Sequence, residues 1–240
     1  IRDTDRSRGL GDVYKRQAQW LQMTWMFFYD KKKWTQPRIR SFLKAVPDNK
    51  LILLDYYCDH TEIWRNTEQY YGNPYIWCYL GNFGGNTMIA GNLNDIDFKI
   101  KRLFKEGGDN VYGLGATLEG FDVNPLMYEF VFDQAWDYPV TTDQWITNWS
   151  MCRGGNQDAN IIKAWRALHQ KIYTEHATCG QSVLMNARPR LTGTKSWNTN
   201  PGIHYANNDL WQIWKELLKA RNINLSLIHI SEPTRPISIS

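Results

Sequence analysis

Apolar positions along the chain alternate between short continuous runs and helically spaced stripes. Residues 20–28 (WLQMTWMFF), 50–57 (KLILLDYY), 75–80 (YIWCYL) and 111–117 (VYGLGAT) are runs of strand length. Each fits a strand buried on both faces. Between them, Gln36-Pro37 opens a helix with proline in its first turn, and Ile39, Phe42, Leu43 and Val46 recur at helical spacing. Ile96, Ile100, Leu103 and Phe104 form a second stripe, ended by Gly107-Gly108. Asn124-Pro125 caps a third helix carrying Met127, Phe130, Val131 and Gln134. Strands that alternate with helices predict a parallel α/β sheet. Four such units amount to half of a (β/α)8 barrel, with strands near 20–27, 51–56, 75–80 and 111–117 parallel and adjacent. One or both edges of this sheet are expected to be unpaired. Chemistry in such barrels sits at the carboxyl ends of the strands, where Trp25, Asp55, Asn82 and Glu119 fall.

The pattern changes after about Tyr138. Thr141–Gln144 has capping-box spacing ahead of a helix with Trp145 and Trp149. Ile161, Trp165, Leu168 and Ile172 form another apolar stripe. Arg188–Gly202 is rich in Thr, Asn, Gly and Pro and reads as a long loop. Asn208-Asp209 starts a helix with Leu210, Trp211, Trp214, Leu217 and Leu218. The expected organisation is a partial barrel over 18–139 and a partial helical domain over 140–224.

The remaining residues are set apart by a coding argument. Asp12–Gln17 (DVYKRQ) can be encoded as GAT GTG TAT AAG AGA CAG. The reverse complement of that DNA encodes LSLIHI, which is Leu225–Ile230. Residues 1–17 and 225–240 are therefore expected to be translated sequencing adaptor, with few long-range contacts, and are excluded from fold reasoning. The net charge of +4 is small, and no basic stripe marks a nucleic-acid footprint. No apolar run reaches membrane-span length. The twelve Trp and thirteen Tyr are the compositional oddity. They fit either an aromatic-rich core or surfaces that stack on sugar C–H faces.

Several residues are candidates for chemistry. Glu119 follows a Gly/Ala-rich strand, so its carboxylate faces a barrel mouth or lies on a loop surface. Glu129, the rival carboxylate, lies within a helix and fits a solvated face or a salt bridge. In Asn82-Phe83-Gly84-Gly85-Asn86 the glycines allow close backbone approach. The asparagines can donate to and accept from sugar hydroxyls, and a tight turn is the alternative. Asp55 fits a sugar hydroxyl or a structural hydrogen bond. His60, His169, His176 and His204 lack metal-ligand spacing, so neither a metal site nor a cofactor is expected. Cys58, Cys78, Cys152 and Cys179 contain no CxxC pair and are expected as buried free thiols.

Together YIWCYLGNFGGN (75–86), GLGATLEGF (113–121) and TWMFF (24–28) resemble the α-N-acetylglucosaminidases. KLILLDYY, MNARPRLTG (185–193) and the final Trp-rich helix fit as well, in order across 18–224. The resemblance implies the C-terminal half of a (β/α)8 TIM barrel followed by the start of an all-α domain, within a longer enzyme. It implies retaining hydrolysis of terminal α-linked N-acetylglucosamine from glycans or glycosaminoglycans. Glu119 would be the nucleophile. The general acid/base would lie in an earlier segment ending in an FNE-type motif, so the chain alone is expected to be inactive. Trp25 would line the sugar subsite, with Asn82 and, more weakly, Trp77 as further substrate contacts. Gly81 departs from relatives of animal type, which carry His there. The implied partner is a glycan ending in α-N-acetylglucosamine, with no nucleic acid and the oligomeric state left open. The family implies secretion or the periplasm for bacterial members and lysosomes for animal ones. The competing reading from another class is a non-catalytic carbohydrate-binding module.

Overall fold

The computed structural model describes residues 18–47, 50–82, 89–120, 124–136, 140–154, 157–176 and 203–220. The two terminal segments, the loop 188–202 and most of the NFGGN stretch lie outside the described residues. The chain forms two compact units, one of residues 1–80 and 99–117, the other of residues 81–98 and 118–240. The division falls inside one helix, Leu93–Glu106.

The first unit holds a four-stranded sheet. Its strands are β1 (Trp20–Met23), β2 (Leu51–Asp55), β3 (Tyr75–Tyr79) and β5 (Val111–Ala116), in the order β1-β2-β3-β5. All three pairings are parallel, as the alternation of runs and stripes predicts. The inner strands carry the core: Leu51, Leu53, Tyr75, Trp77 and Tyr79 are buried. The edges do not match the expectation of burial on both faces, since Trp20, Leu21, Met23 and Tyr112 are exposed. An edge strand has a neighbour on one side only, so its side chains have fewer partners to cover them.

The run 20–28 is not one strand. It breaks at Thr24, whose backbone N–H and hydroxyl both donate to the Leu54 carbonyl, at 3.0 and 2.9 Å. The chain then turns into a short helix, α1 (Trp25–Tyr29), which buries Phe27. A continuous apolar run has no period, so its residue types do not distinguish strand from helix. Helix α2 (Gln36–Lys44) buries Ile39 and Leu43. Helix α3 (Leu93–Glu106) buries Ile96, Ile100 and Leu103, while Phe104 is exposed and lies off the expected stripe. Gly107 closes it: its N–H donates to the Leu103 carbonyl at 2.7 Å, and a Cβ there would collide with Leu103, Val111 and the Tyr75 hydroxyl.

Between β2 and β3, Glu68, Gln69, Tyr70 and Tyr71 all have φ near +50°. A left-handed turn of L-residues costs about 1–2 kcal/mol per residue. Two features offset this cost. The Tyr70 ring is fully buried against Tyr75. The Asn110 amide donates to the Gln69 and Asn73 carbonyls at 2.8 and 2.6 Å.

The second unit is mainly helical. A two-residue strand β4 (Gly91–Asn92) pairs antiparallel with β6 (Thr174–Glu175). The helices are α4 (Pro125–Asp133), α5 (Thr142–Gly154), α6 (Ala159–Lys171) and α7 (Asn207–Leu217). The capping box before α5 is formed: Thr141 Oγ1 accepts from the Gln144 N–H at 3.2 Å, and Gln144 Oε1 accepts from the Thr141 N–H at 3.1 Å. Asn124 does not cap α4 with its side chain. Its amide instead donates to the Ala90 carbonyl and the Tyr173 hydroxyl. In α7 the buried residue is Ile213, whereas Trp211 and Trp214 remain half exposed. No helix among the described residues is long and apolar enough to cross a membrane.

Candidate active site

In the first unit, Trp25 stands two residues beyond β1, at the carboxyl edge of the sheet. Its indole is half-buried among the rings of Phe28, Tyr56 and Tyr57, at centroid distances of 5.0, 5.7 and 5.8 Å. Tyr57 in turn stacks on His60 at 4.5 Å. Asp55 ends β2 and is fully buried. Its carboxylate accepts from the N–H groups of Ile63 and Trp64 at 3.3 and 3.0 Å, so it holds the following loop. Burial pushes its pKa up to about 7, against the opposing pull of those two N–H bonds. Of the two readings of Asp55, the structural hydrogen bond is the one observed.

Trp77 needs correction as a substrate contact. It is fully buried, and its indole N–H donates to Glu62 Oε1 at 3.0 Å. Glu62 also accepts from the Trp64 indole at 3.2 Å and pairs with Arg102 of α3. Strand alternation turns Trp77 into this polar knot in the core, away from any open surface. Nothing local singles out Glu62 in the sequence, because its ion-pair partner is forty residues away.

In the second unit the structure brings Asn82 and Glu119 together. Along the chain, each lies three residues beyond a strand, β3 and β5 respectively. Asn82 is only 3% exposed. Its Oδ1 accepts from the Glu119 backbone N–H at 3.1 Å and from the Tyr128 hydroxyl at 3.4 Å. Its Nδ2 donates to the Gly120 carbonyl at 3.4 Å. Glu119 itself is exposed. The backbone of the carboxylate-bearing loop is thus held by a buried amide while the side chain reaches solvent. Tyr128 was hidden in the sequence as one more apolar position of α4. The rival Glu129 is committed elsewhere, paired with Arg153 and accepting from the Trp149 indole at 2.6 Å.

Three of the histidines serve as hydrogen-bonding groups. His169 bridges Asp143 and Asn94 at 3.0 and 3.1 Å, His176 meets Asp95 at 2.6 Å, and His204 meets the Ile172 carbonyl at 2.7 Å. Among the described residues, no group of three or more His, Cys, Asp or Glu side chains is placed to hold a metal ion. Cys58 and Cys78 are buried free thiols, and burial pushes the Cys78 thiol up to about 12. Cys152 departs from the expectation and is exposed.

Comparison with known proteins decides the family. The profile of the alpha-N-acetylglucosaminidase (NAGLU) tim-barrel domain matches residues 11–138, and that of the NAGLU C-terminal domain matches residues 145–229. The chain belongs to the α-N-acetylglucosaminidase family. Human alpha-N-acetylglucosaminidase is 29% identical over 206 residues, covering 84% of this chain and 27% of the human protein. Among solved structures, a family 89 glycoside hydrolase from Clostridium perfringens in complex with 2-acetamido-1,2-dideoxynojirmycin superposes with a TM-score of 0.69. It shows 22% identity, over 84% of this chain and 22% of that one. A double variant from the same organism, in complex with its substrate GlcNAc-alpha-1,4-galactose, gives 0.69 at 21% identity over 85% and 22% of the two chains. The chain therefore spans about a quarter of the length of the relatives it matches. Within the family, the observed parallel βα units are the C-terminal half of the TIM barrel, followed by the start of the all-α domain.

Proposed function

We propose that this chain is part of a retaining exo-glycosidase that removes terminal α-linked N-acetylglucosamine from glycans or glycosaminoglycans, with Glu119 as its nucleophile. The observation that carries the proposal is the Glu119 loop. An exposed carboxylate follows a barrel strand, and a buried amide fixes its backbone at 3.1 Å. A retaining enzyme needs two carboxyl groups about 5–5.5 Å apart. Glu119 attacks the anomeric carbon as the glycosidic bond breaks, giving a covalent glycosyl-enzyme. The second carboxyl protonates the departing oxygen and then activates the water that releases the sugar. That acid/base belongs to an earlier barrel segment, upstream of residue 18. Trp25, in its half-open aromatic cluster, supplies a stacking face for the sugar ring. The present chain alone is then expected to be inactive, since leaving-group protonation contributes about 10²–10⁴-fold and positioning by the rest of the barrel contributes further.

The test is Glu119→Ala in the full-length protein, with and without azide, with the product anomer read by NMR. Turnover on an aryl α-N-acetylglucosaminide should collapse and be partly restored by azide, giving the inverted glycosyl azide. Near-normal turnover with retained stereochemistry would remove Glu119 from the nucleophile role.

A further inference from the structure

We infer that Asn82, backed by Tyr128, is a positioning residue that aims the Glu119 carboxylate rather than a ligand of the sugar. This rests on the reading of Glu119 as nucleophile and adds to it the device that holds the nucleophile in place. The argument begins with a count of hydrogen-bonding capacity. An asparagine side chain has two acceptor lone pairs and two N–H donors. Both lone pairs of Asn82 are taken, one by the Glu119 N–H at 3.1 Å and one by the Tyr128 hydroxyl at 3.4 Å. One N–H is taken by the Gly120 carbonyl at 3.4 Å. At most one N–H is left for a ligand, on a residue that is 3% exposed.

The two bonds go to the N–H of Glu119 and to the carbonyl of the next residue, Gly120. Together they bracket the Glu119–Gly120 peptide and restrict the backbone that carries the Glu119 side chain. The Glu119 N–H can only donate and the Gly120 carbonyl can only accept, so these two orient the amide with its oxygen toward the first and its nitrogen toward the second. Tyr128, within helix α4 and buried at 8% exposure, adds a second donor to the amide oxygen and holds it in place. Through this bond helix α4 braces Asn82, and Asn82 braces the backbone at 119 and 120.

A nucleophile must reach the anomeric carbon in a near-attack geometry, and a misplacement of about 1 Å can cost on the order of 10²-fold in rate. Ground-state sugar binding does not need that accuracy. The positioning role therefore predicts a loss in kcat that is not matched by a loss in sugar affinity.

The experiment uses the full-length enzyme with Asn82→Ala and Tyr128→Phe. It measures kcat on an aryl α-N-acetylglucosaminide and competitive inhibition by free N-acetylglucosamine. Thermal melts establish that each variant is folded. For Asn82→Ala the expected result is a fall in kcat of about 10- to 100-fold, with the inhibition constant for N-acetylglucosamine within about threefold of wild type. For Tyr128→Phe, which keeps the ring and removes one hydrogen bond, a smaller fall with the same split is expected. If Asn82→Ala does not fold, Tyr128→Phe decides the matter by the same split. The inference is overturned if kcat stays within about threefold of wild type, or if N-acetylglucosamine affinity weakens as much as kcat, which would make Asn82 a sugar ligand. Glu119→Ala in parallel separates the two readings. If it loses turnover and azide restores it while Asn82→Ala keeps its kcat, only the positioning role fails. If Glu119→Ala keeps turnover, the nucleophile assignment fails first.

Discussion

Replacing Asp55 with Asn should flatten the dependence of stability on pH between about pH 4 and pH 8. Asp55 is fully buried, and desolvation raises its pKa from 3.8 to about 7 despite the N–H bonds from Trp64 and Ile63. The raised group is an acid that keeps its proton longer in the folded state than in the unfolded chain. Its stabilising contribution is complete below about pH 3.8 and is lost as pH rises through 7. A shift of about three units, at about 1.4 kcal/mol each, corresponds to roughly 4 kcal/mol over that window. Asparagine does not ionise; its Nδ2 cannot accept the N–H bond that one Asp55 oxygen takes, but that loss is a constant offset independent of pH. The variant should therefore gain on the wild type as pH rises, by about 4 kcal/mol in total. Urea unfolding followed by tryptophan fluorescence at half-unit pH steps would measure the difference between the two curves. The difference between the two curves isolates the substituted group. Parallel curves for the two proteins would refute the assignment of this slope to Asp55.

Two further outcomes concern stability. Arg102→Met leaves the Glu62 carboxylate, whose side chain is 3% exposed, with only the two indole donors, and should cost about 3–5 kcal/mol. Adding Glu62→Gln should recover part of that, because the amide oxygen still accepts from the indoles; denaturant midpoints of the single and double variants check both, and a single-variant loss below about 1 kcal/mol would contradict the ion-pair account. Thr141→Ala removes the side-chain half of the capping box and should cost about 0.5–2 kcal/mol, read as a lowered midpoint with loss of amide-exchange protection over the first turn of α5; unchanged protection at Gln144 would contradict it.

What the sequence by itself determined is whatever depends on neighbours close along the chain. The capping box needs only Thr141 and Gln144, three residues apart, and it forms as read. Of the stripe Ile96, Ile100, Leu103 and Phe104, the first three mark the buried face of α3, because helical geometry puts them on one side whatever lies opposite, while Phe104 falls beside it and is exposed. The four strand-length runs, with helical stripes after the first and third, were enough to predict parallel pairing, although the connection between β2 and β3 holds only short 3-10 turns and no α-helix. Motif segments around Glu119 placed the chain in its family.

Tertiary structure decided what depends on distant partners. Trp77 could face either side of its strand until Glu62 and Arg102 gathered on one of them. The run 20–28 could be strand or helix until the Leu54 carbonyl took both donors of Thr24. Leu210, Trp211, Trp214, Leu217 and Leu218 name a helix but not its buried face: Ile213 is the residue that α7 buries, and Trp211 and Trp214 stay half exposed. The hydrogen bonds from Asn82 to the backbone at 119 and 120 join positions nearly forty residues apart, and nothing near Asn82 in sequence points to them. Periodicity reports which face a side chain is on. Which groups fill the space beyond that face is settled only when elements forty residues apart pack together, and burial and hydrogen-bond satisfaction are set by those groups.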